Sequence, residues 1–261
     1  MIGISKLYMG QAEASDPLRY GRMSARLPSH LLQFSKDKKP IVVWNVTQRC
    51  NLRCRHCYAA GTPDAARELT TAECLRAIDG FADFGCPVVL FSGGEPFMQP
   101  EFLIDALDAC GAQGYHRCVD TCGFTQKRVI VEAAKRTDLF LYDIKHMDPE
   151  EHKKYTGVDN VVILENLAAI SEAGANINVR IPFMPGLNSS DENMRAIGKF
   201  VAPLRGVVGV NILPYHTVAK GKHERWHMEY KLNDLMPPTE NQTHHAAEIL
   251  ESYGLKVHIG G

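Results

Sequence analysis

The stretch CNLRCRHCY, residues 50–58, sets Cys50, Cys54 and Cys57 at C-x3-C-x2-C spacing, directly after the apolar run PIVVWNVTQ at 40–48. Structural zinc asks for four closed ligands, usually as two C-x2-C pairs, and no second pair with matching spacing occurs. A [4Fe–4S] cluster takes one cysteine per iron. Three cysteines therefore leave one iron open to a ligand that is not protein, which suits catalysis better than electron storage. Three unrelated thiols in a loop is the competing reading. The spacing, the position after a strand and the flanking Arg49, Arg53 and Arg55 all speak against it.

The rest of the chain sets the context. It has 261 residues, 45% hydrophobic and 23% charged, with a formal net charge of −1. A charge so near zero gives no electrostatic reason to expect nucleic acid or an anionic membrane as partner. The start, MIGISKLYMGQ, lacks the basic segment and apolar run of a signal peptide. No apolar run approaches the ~18 residues of a membrane span, so the cytoplasm is the expected location. The other five cysteines, Cys74, Cys86, Cys110, Cys118 and Cys122, are scattered and read as small buried hydrophobes.

From residue 40 onward, short β-branched runs alternate with helical periodicity. Strands are expected at 40–48, 86–94, 115–123, 138–145, in NINVRIPFMPG, and at 206–216, with a last one in LKVHIG. Helices fall between them. Thr70 with Glu73 three residues on is a capping box, and Asp148-Pro149 is a cap followed by proline at the first helical position. Six strand-then-helix units imply a parallel sheet with helices outside. Six are too few for an eight-stranded barrel, so the expected fold is α/β, an open, partial (β/α)6 TIM-type barrel over 40–261 with an N-terminal arm at 1–39. Ligands in such folds gather at the C-terminal ends of the strands.

Unusual polar residues do gather at those ends. FSGGEP (91–96) closes the second strand with Gly93, Gly94 and Glu95, a carboxylate able to hold an ammonium group. VDTCG (119–123) and YDIK (142–145) place Asp120, Asp143 and Lys145 at the ends of apolar strands. Buried without partners they would cost several kcal/mol each. An Asp–Lys structural pair is one explanation; recognition of a charged ligand is the other. Arg180 in VRIPFMPG and His216 in LPYH stand at the matching ends of strands five and six.

C-x3-C-x2-C after the first strand of a (β/α)6 series resembles the radical S-adenosylmethionine (SAM) superfamily. The resemblance implies that the open iron chelates the amino and carboxylate groups of SAM's methionine moiety. One electron then splits SAM into methionine and a 5′-deoxyadenosyl radical that abstracts hydrogen from the substrate. Gly93-Gly94-Glu95 is similar to the superfamily's GGE motif, whose backbone contacts that methionine moiety. His56 occupies the place before the third cysteine where an aromatic is usual, with Tyr58 just beyond, and both are expected beside the cofactor.

From about residue 99 to the end, the chain resembles the glycyl-radical-enzyme activating enzymes, through VDTCGF, YDIKHMDPEEHKKYTGVDN, RIPFMPGLNSSDEN and ILPYHTVAKGKHERW. This implies SAM contacts at Asp143, Lys145 and His216, and a monovalent cation near the carboxylates of Asp120 and Asp143. It also implies a reaction that removes hydrogen from one backbone glycine of a partner glycyl radical enzyme, with a flavodoxin- or ferredoxin-type electron donor. Arg180, His216 and the loop at 217–226 would line the cleft. Residues 1–97 look more like radical SAM enzymes of the heme pathway, the type that removes acetate groups from didecarboxysiroheme. An enzyme acting on a siroheme-derived tetrapyrrole is the alternative expectation, with a join near Phe97–Glu101 between the two resemblances.

Overall fold

The computed structural model describes residues 41–57, 61–62, 68–83, 85–216, 232 and 234–260. The expected arm at 1–39, Tyr58 and the loop at 217–226 lie outside them. Within them, seven parallel strands form one sheet whose spatial order equals their chain order. They are β1 (Val42–Thr47), β2 (Val88–Gly93), β3 (His116–Thr121), β4 (Leu139–Asp143), β5 (Ile177–Phe183), β6 (Val207–Pro214) and β7 (Val257–Ile259). Strands β1 and β7 do not pair, so the sheet is open, as expected of a partial barrel.

The helices are α1 (Thr71–Phe81), α2 (Pro100–Ala112), α3 (Lys127–Ala134), α4 (Pro149–Thr156), α5 (Val161–Glu172), α6 (Asp191–Val201) and α7 (Glu240–Glu251). Their starts follow the local chemistry. Thr70 and Glu73 close the capping box on α1, and Asp148 accepts from the backbone N–H of Glu150 and Glu151 at the head of α4, each cap contributing about 1 kcal/mol. Gly157 ends α4 at φ 88°, the left-handed position that glycine fills without strain.

Alternation along each strand divides the sheet into two faces. Phe91, Val119, Phe140, Tyr142, Val179, Ile181 and Ile212 point toward the helices and join the main core. The opposite, concave face carries a small apolar floor of Val88, Leu90, Cys118, Leu139 and Leu141. One step further along the strands that face turns polar, with Ser92, Asp120, Asp143 and Arg180. In contrast to the buried strand read from its apolar run, β1 alternates in exposure, with Val43 39% exposed. Among the described residues it is the sheet's first strand, with a strand neighbour on one side only. Around the expected join, Phe97 and Phe102 both sit in the main core, Phe97 in a short 3-10 turn, Pro96–Met98, and Phe102 in α2, which starts two residues after that turn. The chain is continuous in packing there.

Candidate active site

The cysteine loop leaves β1 and is held by backbone bonds on three sides. Cys50 N–H donates to Thr62 O at 2.9 Å, Arg53 N–H to Thr156 O at 2.6 Å and Arg55 N–H to Tyr155 O at 2.9 Å. The Asn51 side-chain amide donates to Phe124 O at 2.8 Å. The carbonyls left open at the C-terminus of α4 thus receive the loop's own N–H groups. Cys50, Cys54 and Cys57 are all half-buried and unoxidised. Leu52 N–H points at Cys50 Sγ, 3.4 Å away. Burial raises the pKa of Cys50, and pushes that of Cys54 up to about 12, with Cys57 and Cys50 adding to it and Lys145 opposing. The three sulfurs therefore sense one another, and their natural release from this penalty is iron in place of the proton. Among the described residues, no three His, Cys, Asp or Glu side chains converge as ligands of a single ion. A cluster does not require that, because each thiol meets a different iron.

The turn after β2 packs directly on this loop. Gly94 N–H donates to Thr47 O and Glu95 N–H to Arg49 O, both at 2.8 Å. A Cβ on Gly93 would come within 2.3 Å of Thr47 O, and one on Gly94 within 2.2 Å of Arg49 O. The cysteine loop's backbone alone thus requires glycine at both positions. Glu95 is turned inward and is 1% exposed. Its carboxylate accepts from Thr121 Oγ1 at 2.7 Å, Cys122 N–H at 3.0 Å, Cys122 Sγ at 3.0 Å and Phe97 N–H at 3.3 Å. These four donors fill about all the acceptor sites of a carboxylate. In the structure Glu95 ties the end of β2 to the end of β3, instead of presenting oxygens to an ammonium group as its sequence position suggests. Burial raises its pKa.

Asp120, Asp143, Lys145 and Arg180 form one charge cage. Arg180 donates through Nε and Nη2 to Asp143 Oδ1, both at 2.7 Å, and through Nη2 to Asp120 Oδ1. Lys145 Nζ meets Asp143 Oδ2 at 3.0 Å, and Ser92 Oγ donates to Asp120 Oδ2 at 3.0 Å. The strand register builds it, since Asp143 and Arg180 are Cα partners across β4 and β5. The two carboxylates are driven apart. Burial raises the pKa of Asp120 over the pull of Arg180. Burial works the same way on Asp143, but Arg180 and Lys145 together outweigh it and hold the group low. Arg180 lies between the carboxylates, in the place expected for a monovalent cation.

His56 is half-buried, its Nδ1 has no hydrogen-bond partner among the described residues, and burial followed by the Lys145 charge holds its pKa down to about 3. The ring is neutral. His216, two residues past β6, is exposed, and no described hydrogen bond or ion pair joins it to the cage. Sequence reasoning missed Ser92, whose signal was its place on the concave face one residue before the glycines. It read α4 as a helix from Asp148-Pro149 but missed its role, which is that Thr156 O and Tyr155 O in its last turn hold the cysteine loop.

An open parallel sheet with a three-thiol loop at the C-terminal end of its first strand defines a class, the iron–sulfur enzymes built on a partial barrel. The chain belongs to the radical SAM superfamily, whose family model matches residues 44–196, and its cofactors are those of that family, a [4Fe–4S] cluster and SAM. It is 40% identical over 227 residues to the Fe-coproporphyrin III synthase of Methanosarcina barkeri, an alignment covering 85% of this chain and 55% of that protein. It is 38% identical over 193 residues to the pyruvate formate-lyase-activating enzyme of Clostridium pasteurianum, covering 72% of this chain and 81% of that one. The chain thus spans about half the length of the first relative and most of the second. A solved domain of pyruvate formate-lyase-activating enzyme from Bacteroides vulgatus ATCC 8482 superposes with a TM-score of 0.58 at 36% identity, covering 67% of this chain and 99% of that domain. Both curated alignments are too long to stop at residues 97–101, so the two resemblances overlap rather than meet at a join.

Proposed function

We propose that this enzyme activates a partner glycyl radical enzyme by removing a hydrogen atom from one of its backbone glycines. When bound, the cluster and SAM supply a one-electron reductive cleavage that yields a hydrogen-abstracting 5′-deoxyadenosyl radical. The rest falls to the chain. Cys50, Cys54 and Cys57 hold three irons and leave the fourth open. Asp143, Lys145 and Arg180 present both signs of charge beside that loop, where a zwitterionic amino-acid moiety needs them, and Asp120 fixes the guanidinium of Arg180. Glu95, with Gly93 and Gly94, keeps the turn after β2 pressed on the cysteine loop. His56, whose ring is neutral, Tyr58, and His216 two residues past β6 are assigned to the cofactor.

The observation that carries the reading is the open sheet. Among the described residues β1 and β7 are unjoined and leave the sheet open at its side, the kind of access that a glycine within a continuous polypeptide requires. The long match to a pyruvate formate-lyase-activating enzyme supports it. A tetrapyrrole substrate is the second reading, favoured by the 40% identity to an enzyme named for an iron porphyrin product.

The test is anaerobic. The reconstituted, reduced protein is given SAM, and 5′-deoxyadenosine is measured with a glycine-centred peptide and, separately, with didecarboxysiroheme. Stimulation by the peptide with a carbon-radical EPR signal is expected. Stimulation by the tetrapyrrole alone refutes the activase. Cys54→Ser is expected to abolish both iron retention and cleavage.

A further inference from the structure

We infer that Asn178 on β5 and Asn211 on β6 read peptide N–H groups of the substrate polypeptide beside its glycine. The inference rests on the proposed function and deepens it, naming a polypeptide backbone, and not a polycarboxylate, as what this half of the site holds. One register row crosses the sheet at the level of the charge cage. Asp143 on β4 is the Cα partner of Arg180 on β5, Arg180 of Asn211 on β6, and Asn211 of His258 on β7. Side chains alternate along a strand and match across partners, so these four share the concave face. Asn178, two residues before Arg180, stands on the same face one step lower. The row changes character along its length. On β4 and β5 it is charged, and Asp143 and Arg180 are spent on one another. On β6 and β7 it is an amide and an imidazole. Burial and then the Lys256 charge hold the pKa of His258 low, so its ring is neutral.

Both amides carry an acceptor with nothing to accept. Asn211 is 6% and Asn178 1% exposed, and among the described residues neither Oδ1 has a hydrogen-bond partner. In Asn211 the other end of the amide fixes which atom is which. Its Nδ2 donates to Gly260 O at 2.7 Å, so the unpartnered atom is the oxygen. Asn178 Oδ1 lies beside Gly209, where a Cβ would stand 3.3 Å from it and 3.8 Å from Cδ2 of the His258 ring. The backbone of Gly209 is outside the left-handed region, so what glycine supplies there is space, between an amide on β5 and an imidazole on β7. Buried acceptors without partners are rare and costly, and their complement is a donor. A peptide backbone brings one N–H with almost every residue. Didecarboxysiroheme brings carboxylates, which are acceptors themselves and call for cations. The one cation in this row is Arg180, already held by Asp120 and Asp143. Half-buried His258 ends the row on β7, the last strand of the open sheet among the described residues.

The test uses the anaerobically reconstituted protein with SAM and no reductant, so that binding is read without turnover. The probe is radiolabelled acetyl-Ala-Ala-Gly-Ala-Ala-amide, with analogues in which each backbone N–H in turn is replaced by an ester oxygen. Equilibrium dialysis compares them on wild type, Asn178→Leu and Asn211→Leu. At least one analogue is expected to bind wild type about tenfold more weakly than the parent peptide. That gap is expected to close in the variant that has lost the matching acceptor. The analogues act on the unaltered protein, so the comparison does not hinge on a variant folding. Thermal melting adds a readout that a structural amide would move the other way. Asn178→Leu puts an apolar group of the same shape in place of an unpaired buried acceptor and is expected to melt at the wild-type temperature or above. Equal binding of every analogue by wild type, or a gap that persists in both variants, assigns the two oxygens to structural water only and overturns the proposal. An Asn178→Leu chain that melts several degrees lower overturns it as well. Binding that depends on an N–H, with no 5′-deoxyadenosine formed on reduction, refutes the activase and leaves the amide pair standing. Peptide-stimulated cleavage without that dependence does the reverse. A wild type that binds no peptide overturns both.

Discussion

Arg180→Gln isolates the energetics of the charge cage. Arg180, Asp120 and Asp143 have side chains 17%, 18% and 15% exposed, so the substitution strips two mostly buried carboxylates of their shared partner. Breaking a buried pair from one side costs about 3–5 kcal/mol, and the residual exposure places this case near the bottom, about 3 kcal/mol. For a domain of this size that is a fall in Tm of roughly 6–12 °C. The loss should depend on pH. Without Arg180 the folded pKa of Asp120, already raised by burial, moves further up, and that of Asp143 moves up with Lys145 alone left to oppose burial. The contribution of Asp120 is then most favourable below about pH 4 and is lost as pH rises through its folded value, while Asp143 keeps less of what its low pKa gave at neutral pH. The deficit should therefore shrink from pH 7.5 toward pH 4.5. Asp120→Asn in the same chain should recover part of the loss, with a coupling of at least about 1 kcal/mol. Urea unfolding of the cluster-free protein, followed by tryptophan fluorescence and circular dichroism, measures all of this. A deficit below about 1 kcal/mol, or one that does not change with pH, would show that the cage is solvated and that its charges do not depend on each other.

Three further outcomes are expected. His152, 1% exposed, holds Val158 O at 2.7 Å through Nδ1, and burial keeps its pKa low. The unfolded chain takes up a proton near pH 6.5 that the folded one refuses, so stability should decline below that pH, and His152→Gln, about 1 kcal/mol less stable at pH 7.5, should narrow the gap at pH 5. Gly94→Ala would force a Cβ to within 2.2 Å of Arg49 O, and colorimetric iron analysis should find less than one cluster per chain after reconstitution. Gly80, inside α1 with open space for 4 Å around the position a Cβ would take, should by contrast tolerate alanine and gain about 0.5–1 kcal/mol in the same urea assay.

The fold was legible where local signals agree. Thr70 with Glu73, Asp148 with Pro149 and the β-branched runs each specify an element from neighbours in sequence, and the seven strands follow from them. The cysteine loop was legible because its spacing is itself the chemistry. What could not be read was where side chains turn at the strand ends. Glu95 looks like a free carboxylate beside two glycines, yet Thr121 and Cys122, 26 and 27 residues away, claim its oxygens. Arg180 looks like one polar residue among six, and its grip on two carboxylates depends on the register of β4 and β5. The exposure of β1 on alternate residues was hidden for the same reason, because an apolar run does not say whether a strand has one neighbour or two.

That the strands lie side by side in the order they are made has a consequence for how the molecule comes into being. Each strand–helix unit emerges onto an edge that its predecessor has just completed, and no strand has to wait for a distant segment to slip in between two others. Growth by addition pairs each new strand with the one made just before it, which suits assembly during synthesis, when the N-terminal part is available first. The iron-binding loop leaves the ribosome ahead of everything that braces it. Arg53 and Arg55 find their partners, Thr156 O and Tyr155 O, only about a hundred residues later, so the three thiols are made well before the helix end that holds their loop.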